Sequence, residues 1–103
     1  EVCLTALECA MSGTLKFKIH KNLFQVLPRA ETSTHHIFMG FDPLIDNAVK
    51  IALRETIKFM TNEYDIHRDD GYTICSLAVD LRVTQIVNGV KGVHAMLPKN
   101  IFQ

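Results

Sequence analysis

The chain has no tryptophan, and only three prolines and five glycines among 103 residues. So few breakers, beside 48% apolar residues, argue against disorder. Charge of one sign is also missing, since eleven basic residues cancel eleven acidic ones. Binding nucleic acid through net positive charge is thereby excluded, as is a polybasic membrane anchor; only a local basic patch is left open. No apolar run approaches the ~18–20 residues that span a bilayer. Cys3, Cys9 and Cys75 include no C-x-x-C pair, and an odd count argues against a disulfide scaffold. A reduced, cytoplasmic setting is expected. There is no G-x-S-x-G, no H-E-x-x-H, no phosphate-binding loop and no dinucleotide-binding glycine pattern. The length fits one domain with a modest core. Glu1 is not a methionine, and Glu8 interrupts any signal-like apolar stretch. The sequence is therefore expected to begin inside a longer precursor.

What is present reads as an ordered series of elements. Val2 to Met11 is apolar, Ser12-Gly13 signals a turn, and Thr14 to His20 alternates with Leu15, Phe17 and Ile19 on one face. These runs are expected to form a β-hairpin. Lys21 to Ser33 reads as an irregular connection, and Thr34 to Phe41 as a further strand. Asp42-Pro43 suits a helix start, with Asp42 as N-cap. Ile45, Ala48, Val49, Ala52, Ile57, Met60 and Tyr64 then follow in steps dominated by three and four, predicting one amphipathic helix to about Glu63. Asp65-Ile66-His67 breaks it, and a second helix is expected over Asp69 to Ala78, its first-turn acids suiting the helix dipole. Leu81 to Val87 and Gly92 to Leu97 read as strands flanking the Asn88-Gly89 turn. The fold class is α+β: a β-hairpin and further antiparallel strands packed on a long helix plus a shorter one.

Few residues stand out chemically. His35 and His36 are adjacent on a strand, so they point to opposite faces and cannot share one metal. His20, His67 and His94 are isolated. Cys3 and Cys9 fall on one face of the expected strand and read as small buried hydrophobes in preference to ligands. Glu8 and Asp80 lie in apolar surroundings, where a carboxylate must be paired, hydrogen-bonded or functional; Arg82 is the natural partner for Asp80. Glu1 alone would be a frayed terminus. Spacing reveals no catalytic constellation.

Several separated motifs nevertheless carry a resemblance. Glu1-Val2-Cys3-Leu4-Thr5-Ala6-Leu7-Glu8 resembles the E-V-C-x-T-A-x-E segment of the acetamidase/formamidase family. Glu31 to Gly40 is similar to that family's strand before its long helix. Ser76-Leu77-Ala78-Val79-Asp80-Leu81-Arg82-Val83-Thr84-Gln85-Ile86-Val87 resembles its L-S-x-A-x-D-L-R-V-[ST]-Q-x-V stretch. Gly92 to Lys99 resembles its G-V-x-A-x-L-P-K ending. The likeness covers nearly the whole chain, with its motifs in order. It departs at Leu4, where glycine is expected, at His67, where serine is usual, at Gly71, and in the looser stretch Cys9 to Gly13.

The resemblance implies that residues 1–103 form a single domain, the C-terminal portion of a longer protein. It implies hydrolysis of short aliphatic amides such as formamide and acetamide to carboxylic acid and ammonia. A divalent metal ion, zinc or calcium, would suit that chemistry, held by Asp and His residues of a segment preceding Glu1. Glu1 is then expected as a metal ligand or as the general base for water. Substrate-binding residues are not indicated. The implied partners are a small amide and a chain carrying the upstream half; the wide apolar arc of the long helix, more than a chain this size covers, separately predicts a homo-oligomer. A noncatalytic assembly module, or a small-molecule-binding domain, is the alternative reading. The 103 residues alone are expected to be inactive.

Overall fold

In the computed structural model, which describes residues 1–102, one face of a four-stranded antiparallel sheet carries two helices. The strands are β1 (Arg29–Glu31), β2 (His35–Asp42), β3 (Asp80–Gln85) and β4 (Lys91–Pro98), in the spatial order β1-β2-β4-β3. The helices are α1 (Ile45–Tyr64) and α2 (Arg68–Ala78), and a short 3-10 turn spans Lys99–Phe102. The α+β expectation holds.

Strand alternation decides which side chains meet the helices. Phe38 and Gly40 of β2 and Val93, Ala95 and Leu97 of β4 are buried on the helix side. Ala48, Ala52, Thr56 and Met60 recur every fourth residue and form the buried stripe of α1. Thr56 is the one fully buried polar residue in that stripe, and its hydroxyl donates to the Ala52 carbonyl at 2.9 Å, so it leaves no unmet donor. Small residues at 48 and 52 let the helix backbone approach the sheet. A Cβ on Gly40 would overlap the Ala48 carbonyl oxygen and sit 2.6 Å from the Ala52 nitrogen.

The long helix lies where the spacing places it, but its start is later than expected. Asp42 is not the N-cap. Its Oδ1 accepts from the Leu44 N–H at 2.8 Å and from Asn47 Nδ2 at 3.2 Å, so it braces the turn two residues before the cap, Leu44. Asp65 takes the left-handed conformation (φ 53°) that ends α1. His67 caps α2 by accepting the Asp69 N–H on Nδ1 at 3.3 Å, standing in for the usual serine.

The N-terminal hairpin is the main correction. Residues 1–28 contain no strand or helix, and residues 1–26 are exposed. The alternation of Leu15, Phe17 and Ile19 is real, yet Phe17 is 88% exposed. A two-stranded hairpin is marginal unless a third layer covers its apolar face, and these residues supply none. Two further readings fall with the hairpin. Cys3 and Cys9 are exposed, not buried, and Glu8 needs no partner because its neighbours are exposed as well. The stretch expected to be irregular contains the three-residue strand β1, which is too short to show a period.

Candidate functional site

Glu1, the carboxylate singled out by the resemblance, lies at the free edge of the sheet. Its backbone nitrogen donates to the Thr84 carbonyl at 3.2 Å, and its own carbonyl accepts from the Ile86 N–H at 3.0 Å. Bonds on either side of Gln85 are those of a parallel strand pair, so the first residue lies along the end of β3. The Glu1 side chain is exposed. Beside it, Thr84 Oγ1 and His94 Nδ1 lie 2.7 Å apart across the β3–β4 ladder. Arg82 is the cross-strand partner of His94 and stands 3.8 Å from the Asp80 carboxylate, the pairing anticipated for Asp80. Burial, followed by the nearby Arg82 charge, lowers the His94 pKa below its usual value.

The structure sets the Glu1 backbone against Thr84 of the edge strand β3, and Thr84 against His94 of the neighbouring strand β4, but among the described residues it gathers no metal centre. Among the described residues no three His, Cys, Asp or Glu side chains are grouped to hold an ion. Zinc or calcium would each need more ligands than Glu1. The residues present therefore do not make such a site by themselves. His35 and His36 diverge as adjacent strand residues must: His35 Nδ1 lies 2.8 Å from Thr34 Oγ1, while His36 faces the aromatic rings of α1.

A second region was not marked in the sequence. A cleft of about 550 Å³ opens between β1, β2 and the end of α1, lined in part by Arg29, His36, Phe59, Glu63 and Tyr64. Arg29 pairs with Glu55 at 3.0 Å and lies over the Phe38 and Phe59 rings, 5.3 and 5.9 Å from their centroids. Lys99 donates to Glu31 at 2.6 Å and to the Thr32 carbonyl at 2.7 Å, tying the C-terminal turn to β1 and lowering the Glu31 pKa. The signal for this cleft was available: Glu55, Phe59 and Glu63 recur at every fourth position of α1.

These features define a two-layer α+β unit with an open sheet edge at Glu1. Much of the chain has counterparts among solved structures. The chain is similar to the crystal structure of an acetamidase from Yersinia enterocolitica, with a TM-score of 0.77 and 25% identity, over 81% of this chain and 25% of that one. It is also similar to an acetamidase from Bacillus halodurans, with a TM-score of 0.69 and 29% identity, over 74% of this chain and 26% of that one. The resemblance to acetamidases carried by the sequence motifs thus extends to three dimensions, and the fold is amidase-related. The chain spans about a quarter of the length of these acetamidases. No protein-family model and no curated protein matches it.

Proposed function

We propose that these residues form the C-terminal portion of an amide hydrolase acting on short aliphatic amides such as formamide and acetamide. The supporting observation is the likeness to two acetamidases, at 25% and 29% identity over most of this chain. In this reading Glu1 contributes a carboxylate to a site completed by residues outside the chain, or by a second copy. The carboxylate accepts a proton from water as the water oxygen adds to the amide carbonyl. The proton then passes to the leaving nitrogen, giving carboxylic acid and ammonia. The main-chain bonds between Glu1 and the end of β3 support a positioning role for the sheet, because they fix the backbone that carries the carboxylate.

In this reading the 103 residues alone are expected to be inactive, because Glu1 is exposed and acts with groups supplied from outside the chain. The test is ammonia release from formamide and acetamide, by this chain and by the longer protein that contains it, with and without a chelator. We expect activity only from the longer protein. Loss on chelation, restored by zinc or calcium, would add a metal to the site. Absence of turnover by both proteins would leave the chain as an assembly module.

A further inference from the structure

The cleft at the end of α1 takes no part in the proposed amide chemistry, and its composition is specific. Rings of His36, Phe38, Phe59 and Tyr64 form a continuous wall. His36 and Phe59 centroids lie 4.6 Å apart, Phe38 and Phe59 5.0 Å, and Phe59 and Tyr64 5.9 Å. Phe102 stacks on Tyr64 with centroids 4.0 Å apart. The faces of Phe38 and Phe59 already hold one cation, the Arg29 guanidinium, so the ring geometry suits positive charge.

The charges around the cleft leave one carboxylate over. Arg29 is neutralised by Glu55 and Lys99 by Glu31. Glu63 lines the cleft, is exposed, and has no ion-pair partner among the described residues. Burial, followed by the Lys99 charge, lowers the His36 pKa, against smaller opposing effects of Glu31 and Glu63. Its Nε2 lies 3.4 Å from the Tyr64 hydroxyl. The volume is within the ordinary range for small-molecule sites.

We propose that this cleft binds a small aliphatic ammonium ion, seated on the Phe59 and Tyr64 rings with the Glu63 carboxylate as its counter-charge. The site stands on its own residues and holds whether or not the chain is part of an amidase.

Calorimetric and NMR titrations of the 103-residue chain with propylammonium chloride test it, with 1-propanol and sodium propionate as neutral and anionic isosteres at equal ionic strength. We expect saturable propylammonium binding that shifts the ring signals of His36, Phe59 and Tyr64. Both isosteres should bind at least about tenfold more weakly. Glu63→Gln, a substitution at an exposed position, should weaken binding severalfold while the circular dichroism stays unchanged. Tyr64→Leu should weaken it as well. Propanol binding as well as propylammonium, a Glu63→Gln variant that binds normally, or a titration that never saturates would each overturn the proposal.

Discussion

Cys75 and the pair Cys3 and Cys9 show how little residue type says without its surroundings. Cys75 is buried between α2 and the sheet, and burial pushes its thiol up to about 11. Cys3 and Cys9 are exposed on the N-terminal segment. A chromogenic aromatic disulfide should therefore label two thiols rapidly in the native chain and the third only on unfolding. Rapid labelling of all three would contradict the packing described. His36 and His94 share another property: burial lowers both pKa values from the usual 6.5. A histidine whose folded pKa is depressed binds a proton more readily when unfolded. Stability is thus full above about 6.5 and is lost as the pH falls through that value toward the folded pKa. Urea midpoints should decline on mild acidification. Replacing His36 or His94 by Gln should flatten the decline, and an unchanged slope in both variants would reject this cause.

At the scale of elements, glycine positions separate two kinds of contact. Gly40 is where β2 touches the backbone of α1, at Ala48 and Ala52. Gly40→Ala forces strand and helix apart and should cost about 1–3 kcal/mol or more in chemical denaturation. Gly71 is different. A Cβ there would meet Ile57 Cγ2 at 3.4 Å and Met60 Cε at 3.5 Å, ordinary contact distances. Gly71→Ala should stabilise α2 by about 0.5–1 kcal/mol, since alanine is the better helix former. A neutral Gly40→Ala or a destabilising Gly71→Ala would mean that α1 and its neighbours are spaced differently. Both helices and strands β2, β3 and β4 were legible in the sequence, because each has a period long enough to read. Strand β1 was not, with three residues and no period. The hairpin over residues 2–20 was legible as a pattern and yet does not form, because alternation states which face wants cover and not whether cover exists. The candidate site was half legible. Motifs pointed to Glu1, but the bonds that hold it to β3, and the Thr84–His94 pair beside it, depend on a strand register no spacing reveals.

For the whole molecule, the distribution of exposed apolar groups agrees with the quarter-length match to acetamidases. Leu81 and Val83 of the edge strand β3 are 44% and 49% exposed, and the N-terminal segment carries Leu15, Phe17 and Ile19 without cover. Contiguous exposed apolar surface is a mark of interaction sites. Among the described residues no helix is long and apolar enough to cross a membrane. The chain is similar to an acetamidase over 81% of its own length and spans 25% of that protein.

The direct measurement is kcat/KM for formamide in the longer protein, comparing Glu1→Gln and Cys3→Ala with the unaltered protein. A general base contributes about 10²–10⁴-fold. We expect Glu1→Gln to lower the rate by about a hundredfold or more, with little effect from Cys3→Ala, which alters a neighbouring exposed side chain. Equal rates in the two variants would contradict the placing of the reactive carboxylate at Glu1.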